Sequence, residues 1–155
     1  MLKKTIVAFF IAMLPLIELR GALPYALASG IPTLPAYIIC IVGNMLPVPF
    51  IYFFATSVLN WGKTKPVIGR FCRFCIEKGN RAGRKLQSSA GMGLYVALML
   101  FVGIPLPGTG AWTGTFAASI LHMDFKKSVL AVVAGVLLAG IIMGVLTFMG
   151  IQILT

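Results

Sequence analysis

Pro15-Leu-Ile-Glu-Leu-Arg-Gly-Ala-Leu-Pro24 and Gly103-Ile-Pro-Leu-Pro-Gly-Thr-Gly-Ala-Trp112 each interrupt a hydrophobic stretch near its middle. The apolar arms that flank them, residues 5–16 and 22–31 in the first case and 94–104 and 111–121 in the second, are too short to cross a bilayer alone. A membrane-spanning helix needs about 20 apolar residues, and each arm supplies roughly half of that. Both interrupted stretches lead into one long apolar run, residues 34–59 and 128–154. Interrupted hydrophobic segments at corresponding places in two halves point to a transporter with broken helices and a binding site near the midplane.

Composition sets the class. The chain has 155 residues, of which 59% are hydrophobic and only 10% charged, and its mean hydropathy is +1.01. Those values exclude an ordinary soluble domain and fit an integral membrane protein. The net charge of +10 arises from thirteen basic residues against Glu18, Glu77 and Asp124. Eight of the basic residues fall between Lys63 and Lys85, in the segment that joins the two halves. The positive-inside rule places such a loop, residues 62–88, in the cytoplasm. There it can touch anionic headgroups, and its few aromatics argue against nucleic acid as a partner.

The remaining polar chemistry is sparse. Cys40 lies in an apolar run, where a thiol behaves as a small hydrophobe. Cys72-Arg-Phe-Cys75 has redox or half-zinc spacing, yet no second pair completes a metal site. His122 and Asp124 read as surface residues capping the following helix. Lys3-Lys4, an apolar stretch and Ala26-Leu-Ala28 mimic a signal peptide, but Glu18 and Arg20 stand between core and cleavage site. The segment is therefore read as part of the fold. No triad, nucleotide loop or metal cluster appears, so no enzyme and no cofactor are expected.

Pairing Gly21-Ala22 with Gly110-Ala111, Ala28 with Ala117 and Ile31 with Ile120 overlays the halves. A hairpin returns the chain to its starting side while a span switches sides, so two hairpin-plus-span units are inverted. The competing topology is four complete spans. Lys3-Lys4 and Lys126-Lys127 do not decide between the two, whereas the half-membrane arm lengths favour re-entry. The expected fold is thus an all-α integral membrane protein of two inverted repeats, each a re-entrant helical hairpin plus one transmembrane helix. Repeat 1 covers about residues 5–60, the cytoplasmic basic loop 61–89 and repeat 2 about 90–155, as one membrane domain.

Candidate site residues follow from that fold. Glu18 and Arg20 are charges inside an apolar stretch, and ionisable groups at membrane depth mark function by default. Gly21 belongs to the same tip. Asn44 and Pro47 lie mid-span, where proline opens the helix. Gly108, Thr109 and Gly110 form an irregular turn whose amides can point inward. The helix that starts at Ala111 would aim its positive end at an anion, with Trp112 and Thr113 lining the cavity. The competing reading of Glu18 and Arg20 is an internal ion pair that pins one tip. Gly140-Ile-Ile-Met-Gly144 reads as a helix-approach face, within or between protomers.

Three blocks carry a resemblance: Glu18-Leu-Arg-Gly-Ala-Leu-Pro24, Gly43-Asn44-x-x-Pro47-x-Pro49 and Gly103-Ile-Pro-Leu-Pro-Gly-Thr-Gly-Ala-Trp-Thr-Gly114. Over nearly its whole length the chain resembles the small multidrug export protein family of bacteria and archaea, itself similar to the DedA superfamily. The DedA resemblance implies two re-entrant hairpins and lipid translocation, with undecaprenyl phosphate or other anionic lipids as the substrates of several bacterial members and protons as the proposed coupling ion. Glu18 matches the acidic residue of the first DedA hairpin. The second tip departs from that pattern, having no charged residue.

The reading that results is an inner (plasma) membrane, multi-pass lipid flippase for an anionic lipid such as undecaprenyl phosphate, proton-coupled through Glu18. Arg20 and the amides around residues 108–110 would neutralise the phosphate. A chain this short is expected to form a homodimer or higher homo-oligomer. The alternatives are a proton-coupled small-molecule or multidrug exporter, in which Glu18 binds a cation, and a non-transporting scaffold.

Overall fold

The computed structural model describes residues 1–65, 69, 70, 73, 74, 76, 77, 91–106 and 108–154, of which 151–154 are described by backbone alone. Most of the basic loop, including Cys72 and Cys75, lies outside the described residues. Among them the fold is all-helical. Its helices are α1 (Leu2–Met13), α2 (Glu18–Ala28), α3 (Thr33–Met45), α4 (Val48–Gly62), α5 (Gly91–Gly103), α6 (Ala111–Ile120) and α7 (Phe125–Leu154).

The first interruption breaks the helix earlier than the charged residues suggest. A residue before proline is pushed out of the helical region, and Leu14 is extended at φ −73° and ψ 134°. The break is therefore Leu14 to Ile17, and Glu18-Leu-Arg-Gly, expected as the tip itself, is the first turn of α2. The arms of 12 and 11 residues are about 18 and 17 Å long at 1.5 Å per residue. They run antiparallel and pack on each other. At the open end of this hairpin, Lys4 Nζ donates to the carbonyl of Ser29 at 2.9 Å.

The second interruption makes a matching hairpin from α5 and α6. Its open end is closed where the backbone N–H of Asp124 donates to Tyr95 Oη at 3.2 Å. Asp124 also caps α7, its Oδ1 accepting the N–H of Lys127 at 3.0 Å.

Between the hairpins, α3 and α4 form one apolar run of 30 residues, Thr33–Gly62. It bends at Leu46-Pro47 because Pro47 and Pro49 bring no N–H to the carbonyls one turn back. This run and Phe125–Gly150 are long and apolar enough to cross a membrane.

Both hairpins end in the same cap. The N–H of Gly30 donates to Leu27 and that of Ile31 to Ala26; the N–H of His122 donates to Ser119 and that of Met123 to Ala118. Each is a Schellman motif, with Gly30 at φ 81° and His122 at φ 52° in the left-handed position. Those caps equate Ala26 with Ala118 and Ile31 with Met123. The pairing of Gly21 with Gly110 is thus three residues out of register, because shared small residues outnumbered the caps as a guide. Gly43 and Gly135 fall in the same new register, and each seats its helix against a neighbouring backbone. A Cβ at Gly43 would strike the carbonyl of Phe9, and one at Gly135 that of Met99.

Packing is reciprocal. The first hairpin rests on α3 and the second on α7, while α2 also packs on α7 and α6 on α4. Leu19, Leu23, Val48, Val102, Val132 and Val136 fill the seam at 1% exposure or less. The two tips therefore meet at the centre of the fold.

Candidate functional site

Glu18 lies at the start of α2 with φ 52°, a conformation uncommon for a non-glycine residue and found where surroundings impose it. Leu19, beside it, is buried. The side chain of Glu18 is 5% exposed and crosses to the other hairpin. One carboxylate oxygen accepts the backbone N–H of Ala111 at 3.2 Å and the other that of Trp112 at 3.1 Å. These are the first residues of α6, whose N-terminal amides have no intrahelical partner. The carboxylate is thus an anion seated on a helix N-terminus, favoured by hydrogen bonds and by the dipole. Gly110 makes room for it: its φ is 148°, and a Cβ there would overlap the carboxylate.

Arg20, half-buried, does the converse at the end of α5. Its Nη1 donates to the carbonyl of Leu106 at 2.5 Å. Its Nη2 lies 3.4 Å from the Val102 carbonyl, 3.2 Å from that of Ile104 and 2.8 Å from Thr109 Oγ1. Thr109 Oγ1 in turn lies 2.9 Å from the carbonyls of both Ile104 and Leu106, which share its proton. The last carbonyls of a helix need donors and favour a cation, and Pro105 supplies no N–H. Planar guanidinium reaches several of them at once.

A third tie runs the other way. Trp112 Nε1 donates to the carbonyl of Met13 at 3.1 Å, at the end of α1. The tips are clasped by the acid, the base and the indole together. The hydrogen bonds of Glu18 and Arg20 go to the second hairpin, which replaces the picture of an ion pair pinning one tip.

A cavity of about 380 Å³ opens beside this clasp, and Glu18, Arg20, Gly108, Thr109 and Thr113 line it with Pro15, Leu16, Pro105, Leu106 and Met143. Next to it an apolar groove of about 520 Å³ runs between α4 and α6. Pro15, Leu16 and Thr113 belong to both.

The sequence candidates divide accordingly. Gly110 sits beneath Glu18, and Trp112 lines the groove. Gly21, Asn44 and Pro47 do not line the cavity. Asn44 is buried on α3 at 2% exposure, its Oδ1 without a partner among the described residues. The amides of residues 111 and 112, just beyond the turn expected to face a phosphate, hold Glu18. The carbonyls of Val102, Ile104 and Leu106 were missed as a group. Two prolines after a helix end, which strand its carbonyls, were the available signal. Gly140 and Gly144 also have an internal use. Tyr37 Oη donates to the Gly140 carbonyl at 3.0 Å, and a Cβ at Gly144 would collide with that hydroxyl.

Residues 18–142, from Glu18 through most of α7, match the sequence profile of the small multi-drug export protein family. The chain belongs to that family. Its export role is an attribution carried by the family's name, and the apolar spans agree with a membrane protein. No curated protein and no solved structure matches the chain. The matched region contains Glu18, Arg20 and Trp112 with every clasp partner but Met13, whose carbonyl precedes it.

Proposed function

We propose that this multi-drug export family protein is a membrane transporter whose two hairpins re-enter the bilayer from opposite faces and whose substrate is an amphiphile with an anionic head. One observation carries the reading. A carboxylate from one hairpin already occupies the N-terminal amides of the other, at 3.2 and 3.1 Å. A site that holds one oxyanion suits another, such as the phosphate of a polyprenyl phosphate. Arrival of a proton on Glu18 removes the resident charge and frees the amides for the head, with Arg20 alongside. Loss of the proton restores the carboxylate and expels the substrate. Exchange of this kind couples proton and anion without a separate gate. The reciprocal packing of α2 on α7 and α6 on α4 supports the inverted arrangement, and the basic loop supports a cytoplasmic placement in the plasma membrane. A homo-oligomer would complete the enclosure of the path.

A second reading is export of cationic drugs on Glu18. It is favoured by the family's name and opposed by the amides that face Glu18 and the guanidinium in the same cavity. The test is purified protein in liposomes, assayed for translocation of labelled prenyl phosphate and of a labelled lipophilic cation, with and without a pH gradient. Movement of the phosphate alone, faster with the gradient, is the expected result. Movement of the cation alone would reverse the assignment.

A further inference from the structure

We infer that the apolar groove between α4 and α6 is the binding site for the hydrocarbon chain of the substrate, so that the protein recognises an amphiphile by both ends. The inference rests on the anionic-head reading above and adds to it where the chain lies. Three observations support it. Pro15, Leu16 and Thr113 line both the charged cavity and the groove, so a molecule with its head beside Arg20 and Thr109 can extend into the groove without leaving the protein. Phe50, Phe54, Val58 and Phe116 bring a hydrocarbon surface to it, and each is exposed at 37% or more. Thr113, a polar residue shared by the two spaces, has its hydroxyl 3.4 Å from the Gly110 carbonyl, so its one donor is engaged by the backbone where the two spaces adjoin. Ordinary ligand sites combine apolar walls with a few convergent polar groups, and here these line two adjoining spaces that share three residues.

The outer face of α7 offers a contrast. Leu137, Ile141 and Val145 are also exposed, but none of them lines either space. They represent plain contact with bilayer lipid, whereas the groove is concave and leads to charges. Selectivity should therefore depend on chain length, a chain long enough to fill the groove being preferred to one that stops where the two spaces adjoin.

The experiment uses the full chain in liposomes with two probes, decyl phosphate carrying a terminal diazirine for photolabelling, and butyl phosphate as the short-chain control for translocation. Labelling is expected to concentrate on residues 50–58 and 116. Val58→Trp fills the groove from an exposed position, and Ala55→Phe fills it independently should the first variant fail to fold. Each should cut groove labelling at least tenfold and lower the ratio of decyl to butyl phosphate translocation by a similar factor. Equal labelling of Leu137, Ile141 and Val145, or labelling that survives both substitutions, would overturn the chain site. Groove labelling that responds to the substitutions, in a wild type that translocates neither phosphate, would uphold the chain site while sinking the transport reading.

Discussion

Glu18 and Trp112 hold the two hairpins together from both directions. The carboxylate takes the backbone N–H of Trp112 at 3.1 Å, and the indole of Trp112 donates to Met13 at 3.1 Å, back on the first hairpin. A clasp of this kind has to open if the tips are to separate. Stability and transport should therefore respond differently to changes at the same residue.

Glu18→Ala leaves the N–H groups of Ala111 and Trp112 unpaired in a buried place. An unmade buried hydrogen bond costs about 1–3 kcal/mol, so the variant should unfold earlier in a detergent denaturation series. Glu18→Gln keeps an acceptor and the shape but cannot exchange a proton. With one oxygen and one NH2 in place of two oxygens it can accept only one of the two N–H groups. It should therefore fold and assemble with a loss of about 1–3 kcal/mol of stability, smaller than that of the Ala variant, and show no acceleration of prenyl phosphate translocation by a pH gradient. Wild-type rate and wild-type pH response in the Gln variant would show that Glu18 is only a cap.

Arg20 contacts three carbonyls and a hydroxyl through two nitrogens. Lysine is a point charge and cannot span that set. Arg20→Lys should lose about 1.5–3 kcal/mol of stability, the range for hydrogen bonds to charged groups, and Thr109→Val should lose less. Chemical denaturation of both variants checks the order. A lysine variant as stable as the wild type would mean that charge alone seats the end of α5.

Gly110 combines φ 148° with contact to the Glu18 carboxylate. Gly110→Ala should therefore be damaging on both counts, through backbone strain of about 1–3 kcal/mol and through displacement of the acid. Adding Glu18→Ala relieves only the second. The double variant is expected to be less than additive, and strict additivity in a double-mutant cycle would deny the contact.

How far the sequence reveals this arrangement depends on which physical signal each feature leaves. The two hairpins and the two long runs were visible because a break falls midway along each of two apolar stretches, leaving short arms that can fold back on each other, while the other two stretches run on without such a break. The bend at Pro47 and the cap at Asp124 follow from local chemistry. The site was legible only as a set of residue types. Glu18 and Arg20 stand out as charges among apolar neighbours, but nothing near them in sequence says that their partners lie more than 80 residues away, at Val102 to Trp112. Shared glycines misled the register of the repeat, whereas the Schellman caps that fix it depend on backbone conformation and leave little trace when the second is built on His122. Gly140 and Gly144 looked like a helix-approach face because the role of Tyr37, 103 residues before Gly140, is invisible until the fold is known.

Tyr37 supplies a separate check on that packing. A methyl group at Gly144 would collide with its hydroxyl, and overpacking of this sort costs about 1–3 kcal/mol. Tyr37→Phe removes the hydroxyl, losing its hydrogen bond to Gly140, worth about 0.5–1.5 kcal/mol, and relieves the worst overlap while leaving the ring Cζ 3.0 Å from the new methyl. Gly144→Ala should thus be destabilising in the wild type and less so in the Tyr37→Phe background. Unchanged cost in that background would place the glycine against another surface, a second protomer included.

The final prediction concerns topology, on which the transport mechanism depends. Lys4 and Ser29 are joined by a hydrogen bond of 2.9 Å at the open end of the first hairpin, so whatever side of the membrane one faces, the other should face too. Single cysteines at these two positions, in a background lacking Cys40, Cys72 and Cys75, should react with an impermeant maleimide from the same side. Cysteines placed at residues 62–88 should react only from the cytoplasm, since the basic residues concentrated there set orientation. One full run, Thr33–Gly62, separates Ser29 from that loop, which puts residues 4 and 29 on the opposite face. Labelling of Lys4 and Ser29 from opposite sides would make residues 4–29 one complete crossing and end the inverted-repeat mechanism, whatever the fate of the Glu18 variants.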